Sequence, residues 1–490
     1  MNSENHVMLS NKVVKNSNDL PIVVVMVPLP AQGHLNQLLH LSHLISTFHI
    51  PVHFLGTPTH NRQVQLRRVH DNNSHPLIQF HDFDIPPFPS PPPNPTASHR
   101  FPSHLIPSFI AAALHLQRPL AAFLRTLSSK VRRLVVIHDS LMSSALQDVN
   151  AIPNTESYCF HSVSAFTVAH SLERKELFVN DGYKDGEITT PTYQQYFPKE
   201  LNVVSMEQCF PPEFLEFIGS QFRHLPKMGA GKIYNTCRVI EGEFLEVIQR
   251  IEPEFRHWAL GPFNPLKISK NGGNNKQSSC SHSCMAWLDQ QEPRSVIYIS
   301  FGTTTAMTDE QIKEIAIGLA RSDQKFIWVL RDADKGDVFD VNEIRKSNLP
   351  EGYSNLIGNQ GLVIRDWAPQ LEILSHWATG GFMTHCGWNS CMESITTGVP
   401  VIAWPMHSDQ PRNTVLMTMV LCVGVALKEW QQELVIADAV EEVVRKLMAS
   451  EEGAEVRRNA ERLGNVVRQS LEEGGESRQE FEAFIAHITR

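Results

Sequence analysis

Neither loop by which the commonest nucleotide enzymes receive phosphate is present: no G-x-G-x-x-G follows Val27 or Phe301, and no G-x-x-x-x-G-K-[ST] occurs anywhere. A dinucleotide-dependent oxidoreductase and a P-loop kinase are both weakened. No apolar run approaches the ~20 residues that a membrane helix needs, so no span is expected. Eight cysteines lie scattered through 490 residues without dense spacing, which argues against a disulfide framework and for a reducing compartment. Lys and Arg number 43 against 52 Asp and Glu, giving a net charge of -9 with no basic block, so a nucleic-acid partner is not expected. The first 20 residues are polar and lack the apolar core of a secretory signal, which makes them a loose tail and the cytosol the expected location. No repeat of ~20 to 50 residues occurs, which excludes a solenoid.

What is present is apolar enough, at 42%, for sizeable cores, and the chain is too long for one of them. Residues 21 to 56 run as the β-branched stretch PIVVVMV, the loop PLPAQGH, the amphipathic LNQLLHLSHLISTF and a second apolar stretch IPVHFLG. Buried strands separated by a helix indicate a parallel sheet covered on both faces, hence an α/β fold. A second such unit opens with SVIYISFG near residue 295, followed by the capping-box spacing Thr308 to Gln311, and the short strands KFIWVL, LVIRDW, GGFMTH and VPVIAWP come after it. Between the units, residues 261–284 are rich in Gly, Asn and Ser and read as the linker. The proline-rich stretch 84–95 and residues 184–200 read as surface loops, the first as an irregular connector.

Ligands of open α/β sheets bind where strands end, so the loops after strands hold the candidates. The first strand is followed by Gly33-His34, just ahead of a helix expected to start at Leu35. A helix N-terminus disfavours imidazolium, which would leave His34 neutral and able to act as a base. The strand LVVIHDSL ends on Asp139, which could accept from the imidazole and fix its tautomer. A turn or helix cap is the competing role for Asp139, and His138 is the competing base.

Residues 367–410 are the densest in chemistry. GGFMT reads as a strand, His385-Cys386-Gly387 as a tight turn, and Trp388 to Thr397 as a helix closed by Gly398. Such a helix start offers backbone N–H groups to an anion such as diphosphate. Asn389 and Glu393 lie four apart on one helix side, the carboxylate suited to the paired hydroxyls of a ribose. Asp409-Gln410, after VIAWP, can hydrogen-bond sugar hydroxyls, and Trp367 offers a face for stacking a base.

This block, with PAQGHLNQ (30–37), GKIYNTCRVIEGEFL (231–245), WALGPFNP (258–265), CMAWLDQQEPRSVIYISFGT (284–303) and FIWVLR (326–331), resembles the plant UDP-dependent glycosyltransferases. The resemblance implies the GT-B architecture: two Rossmann-like domains facing across a cleft. The divisions expected are a tail at 1–20, an acceptor-binding domain at 21–260, a linker at 261–284, a UDP-sugar-binding domain at 285–470, and a helix at 471–490 that returns to the first domain. It implies that Trp367 stacks on uracil while Ala368 and Gln370 contact the base or its ribose, and that Glu393 binds the ribose. His385, Asn389 and Ser390, at the turn containing Gly387, would take the diphosphate with help from Thr303. Trp388, Asp409 and Gln410 would hold the transferred sugar, Gln at the last position marking glucose. His34 would be the general base and Asp139 its orienting acid, in one displacement with inversion. No metal and no cofactor beyond the UDP-glucose donor is implied, and a monomer is expected.

Gln37 departs from the broad pattern, where many members have proline. With LLHLSHLIS and IPVHFLGTPTHNRQVQLR it resembles the zeatin O-glucosyltransferase group, implying a cytokinin acceptor. Flavonoid, isoflavonoid, terpenoid or already glycosylated acceptors are the alternatives; an oxidoreductase and a non-catalytic nucleotide-sugar binder are more remote. Asp332-Ala333-Asp334 spells the D-x-D of metal-dependent glycosyltransferases and is read here as a solvated loop. His40 with His43, and Cys280 with His282 and Cys284, do not present the convergent set that a metal needs.

Overall fold

The structure is a computed structural model, and it describes residues 21–67, 76–97, 99–174, 193–225, 229–265, 283–340, 347–427 and 434–490. The expected tail at 1–20, most of the expected linker (266–282, with Cys280 and His282) and much of the loop at 184–200 lie outside the described residues.

Two parallel sheets organise the chain. The first joins β1 (Ile22–Val27), β2 (Val52–Gly56), β3 (Ile78–Asp82), β4 (Arg133–Asp139), β5 (Thr155–His161), β6 (Gly231–Tyr234) and β7 (His257–Ala259) in the order β3-β2-β1-β4-β5-β6-β7. The second joins β8 (Val296–Ser300), β9 (Lys325–Val329), β10 (Gly361–Ile364), β11 (Thr379–Thr384), β12 (Val401–Ala403) and β13 (Gly424–Ala426) in the order β10-β9-β8-β11-β12-β13. Both orders reverse direction beside the first strand of the unit, between β1 and β4 and again between β8 and β11. A doubly wound sheet opens a ligand crevice at that switch point, because the connections on its two sides lead to opposite faces.

Core strands such as β1 are almost wholly buried, in keeping with helices on both faces. Leu35, Leu38, Leu39, Leu41 and Ile45 of the helix Gln32–Ser46 pack into one face of the first sheet. The final helix, Glu476–Thr489, returns to that same face: Phe481, Phe484, Ile485 and Ile488 join its core, and Phe484 meets Trp258 edge to face at 5.2 Å. No helix of the described residues is long and apolar enough to cross a membrane.

Candidate active site

The two switch points face each other across a cleft of about 1680 Å³. On the first side, the parallel register puts Val27 of β1 beside His138 of β4, so the loop leaving β1 comes close to Asp139. The helix after β1 begins at Gln32, three residues earlier than expected, which makes His34 its third residue. Nδ1 of His34 lies 2.6 Å from Oδ2 of Asp139, whose other oxygen accepts from Leu141 N–H at 2.9 Å. Asp139 therefore caps the short turn after β4 and orients the imidazole at once; the two readings of its role were not exclusive. His138 is fully buried, its Nδ1 turned to the Asp139 carbonyl at 3.0 Å, and it does not line the cleft.

The helix end does not depress the His34 pKa. Burial pushes its pKa down, but the charge and hydrogen bond of Asp139, joined by Asp409 from across the cleft, outweigh burial and raise it above the ordinary value. At 22% side-chain exposure the ring reaches the cleft, with Nε2 the nitrogen not taken by Asp139.

On the second side, β8 runs into a turn where Gly302 adopts φ 76°, and β11 into Cys386 at φ 61°, both left-handed. These turns close on His385. A Cβ on Gly302 would stand 2.7 Å from its ring, and one on Gly387 2.6 Å from its Nε2. Burial lowers the His385 pKa to about 4, so the ring is neutral and can act as a hydrogen-bond donor rather than a cation. The helix Trp388–Thr397 follows, capped by Gly398 at φ 75°; its start carries no side-chain cap and no acidic residue. Its first N–H groups have no acceptor within the helix, and Gly387, Trp388, Asn389 and Ser390 at that end line the cleft, an arrangement able to receive an anion.

Glu393 lies one turn along that helix. Gln370 donates to it at 2.5 Å and to Ser390 Oγ at 3.1 Å, and burial raises the Glu393 pKa to about 7. Trp367, Ala368, Gln370, Ser390 and Glu393 line one continuous wall with Thr303, and His385, Gly387, Trp388 and Asn389 continue it. Asn389 reaches the other half, donating to the Gly33 carbonyl at 2.8 Å.

Three residues are expected to hold the sugar, and each has hydrogen bonds of its own. The Trp388 indole donates to the Asn235 carbonyl at 2.9 Å, leaving its backbone N–H to face a ligand. Gln410 Oε1 accepts from Met406 N–H and His407 N–H at 2.8 and 3.0 Å, and its amide nitrogen stands 3.4 and 3.5 Å from the two ring nitrogens of His407, long contacts that a sugar hydroxyl would have to compete with. Asp409 accepts from Asn413 at 2.7 Å, and burial raises its pKa despite that bond and His34.

Asp332-Ala333-Asp334 is no solvated loop. Asp334 is 9% exposed and its carboxylate is gripped by Arg67 and Arg331, while Asp332 holds Ser347 Oγ at 2.8 Å. Two guanidiniums occupy the oxygens a metal would need. Among the described residues no group of three or more His, Cys, Asp and Glu is placed to hold a metal ion. The stretch 84–95 is also more than a connector: Ser90 Oγ accepts from Asp337 N–H at 3.0 Å, joining it to the other half.

Sequence reasoning missed the acceptor-side wall. Phe101, Phe109, Phe210 and Phe214 form an aromatic surface, Phe101 and Phe214 at 4.4 Å, with Leu141 and Met206 beside them. The buried Arg412, donating to Ser171 Oγ at 3.0 Å, is a cation on this side. The signal available was the helical spacing of Phe210, Phe214, Phe217 and Ile218, which the structure places on and just before the helix Pro212–Phe222, while Phe109 lies on the helix Ile106–His115.

Residues 21–265 match the model of the glycosyltransferase N-terminal domain, and 239–454 that of the UDP-glucoronosyl and UDP-glucosyl transferases. Zeatin O-glucosyltransferase of Phaseolus lunatus is 52% identical over 96% of this chain and 98% of its own. Zeatin O-xylosyltransferase of Phaseolus vulgaris is 50% identical over 97% and 99%. Among solved structures, Phytolacca americana UGT2 complexed with UDP-2fluoro-glucose and pterostilbene superposes with a TM-score of 0.72 at 25% identity, over 96% of this chain and 99% of that one.

Proposed function

The chain belongs to the plant UDP-dependent glycosyltransferases, enzymes that move a sugar from a UDP-sugar to a small acceptor, and from that premise we propose that it transfers glucose with inversion to the side-chain hydroxyl of a cytokinin such as zeatin. The observation that carries this reading is the pair His34 and Asp139, 2.6 Å apart, facing the uncapped start of the helix Trp388–Thr397.

Nε2 of His34 takes the proton of the acceptor hydroxyl as its oxygen attacks the anomeric carbon. Asp139 holds the opposite ring nitrogen and stabilises the imidazolium as it forms. Asp409, close enough to raise the His34 pKa, adds to that stabilisation and binds the sugar hydroxyls. The glycosidic C–O bond to UDP breaks as the new one forms, and the diphosphate leaves toward the N–H groups at Trp388, Asn389 and Ser390 and the neutral His385. Trp367 stacks on the uracil, Ala368 and Gln370 flank it, and Glu393 accepts from the ribose. Backbone N–H of Trp388, the Gln410 amide and Thr303 complete the sugar and phosphate contacts. No metal takes part on this reading: EDTA leaves turnover unchanged, and restoration by manganese after its loss would contradict it.

The aromatic acceptor wall supports a flat, ring-containing acceptor. Similarity to both a zeatin glucosyltransferase and a zeatin xylosyltransferase supports the cytokinin and leaves xylose as the second donor. The enzyme is proposed to act in the cytosol as a monomer. The test is UDP release with UDP-glucose and UDP-xylose against trans-zeatin, cis-zeatin, a flavonol, an isoflavone and a terpenoid alcohol. Highest kcat/KM for UDP-glucose with a zeatin supports the reading; preference for a flavonol or for UDP-xylose overturns its finer part.

A further inference from the structure

At the rim of the cleft one ion pair joins the two halves. Arg67 ends the helix Pro58–Arg67 of the first half, and its guanidinium forks onto both oxygens of Asp334, in the loop after β9, at 2.8 and 3.0 Å. The same guanidinium donates to Oε1 of Gln32, which begins the helix carrying His34 two residues on. Its central carbon also lies 4.9 Å over the ring of Trp367. From the other side, Asp334 N–H donates to the carbonyl of Thr303 at 2.7 Å. A continuous polar path therefore runs from Thr303 through Asp334 and Arg67 to Gln32, touching Trp367 on the way.

Asp334 has a cation in its own half, Arg331 at 2.5 Å, so neutralising the carboxylate does not require a second one from across the cleft. The Arg67 and Asp334 side chains are 17% and 8% exposed, and neither lines the cleft, so the pair does not serve as a ligand contact. Ion pairs this buried repay little net stability, since desolvation offsets most of their attraction, whereas two fixed forks specify geometry well. Neighbouring contacts cross at the same rim: His60 Nε2 stands 3.2 Å from the Gly336 carbonyl, and His104 Nε2 2.7 Å from that of Asp334.

We infer that Arg67 is a positioning residue: through Asp334 and Gln32 it locks the helix bearing His34 to the donor half, so that filling the base site at Trp367 sets the general base. The inference rests on the nucleotide reading of the cleft given above.

Hydrogen exchange of the full chain with UDP as the probe, together with steady-state kinetics, tests it. In the wild type, UDP slows exchange both at 385–393, in the donor half, and at 32–38, across the cleft. In Arg67→Ala the slowing persists at 385–393 and is reduced at 32–38, where the Asn389 bond to the Gly33 carbonyl remains, while kcat falls ~10-fold or more and KM for the UDP-sugar changes less, as a displaced but intact catalytic group requires. Arg67→Lys keeps the charge without the fork and recovers only part of kcat. Asp334→Asn, which retains the shape of the site, reproduces the loss, and combining it with Arg67→Ala adds little further. Wild-type kcat in Arg67→Ala, undiminished slowing at 32–38, or fully additive losses would overturn the inference. Absence of slowing at 385–393 in the wild type would instead overturn the nucleotide reading, and this inference with it.

Discussion

Oδ2 of Asp139 accepts at 2.6 Å from His34 Nδ1, across adjacent parallel strands whose ends are brought level by the pairing of Val27 with His138. The pair is thus a product of sheet register: one side chain comes from the first turn of the helix after β1, the other from the last residue of β4.

A pH profile follows from that contact. The His34 pKa is raised, and the base works only when neutral, so kcat/KM falls on the acid side through a pKa above the 6.5 of an unperturbed histidine. Asp139→Asn removes the main raising influence and moves this limb to lower pH while lowering the plateau. A limb unmoved in Asp139→Asn would contradict the assignment. The same shift stabilises the fold at pH below 6.5, a contribution lost as pH rises through the raised value.

Gly302 carries a second prediction. Its left-handed φ of 76° costs a residue with a Cβ about 1 to 2 kcal/mol, and here the Cβ would also press on the His385 ring at 2.7 Å. Gly302→Ala lowers UDP affinity ~10-fold or more by displacing His385, read by calorimetry on the folded variant.

Loss of stacking gives a third. Trp367→Ala weakens UDP binding by the ~0.5 to 1.5 kcal/mol of an aromatic pair, roughly 2- to 12-fold, with little effect on kcat at saturating donor. An unchanged UDP affinity would place the base elsewhere.

The returning helix makes a fourth, about stability. Phe484 is fully buried in the first domain's core against Trp258, so Phe484→Ala costs about 3 to 5 kcal/mol in denaturant unfolding, far more than a terminal helix resting on solvent.

Much of this architecture was legible because its signals are local. β1 and β4 are apolar runs with clear ends, and the helix Trp388–Thr397 is bounded by a small-residue turn and by Gly398, so its limits were read to the residue. The start of the helix carrying His34 was read late because its N-cap, Ala31, makes no side-chain cap and leaves no mark in the sequence. The visible helix end suggests a lowered His34 pKa; Asp139 is legible as its partner, but the charge of Asp409 comes from across the cleft and only the fold brings it close enough to add to the rise. The burial of Asp334 is not legible because, although Arg331 lies three residues away, the partner that covers it, Arg67, is 267 residues away. The aromatic wall is different: the spacing of Phe214, Phe217 and Ile218 marks a buried helix face, but whether such a face lines a cleft or a closed core is decided by its long-range neighbours, not by its period.

The central claim is that His34 is the base of a UDP-sugar transfer, and the most direct measurement is UDP release by His34→Ala with zeatin as acceptor, alongside UDP affinity by calorimetry. The account predicts turnover reduced by ~10² to 10⁴ while UDP binds as in the wild type. Turnover at the wild-type rate would contradict it.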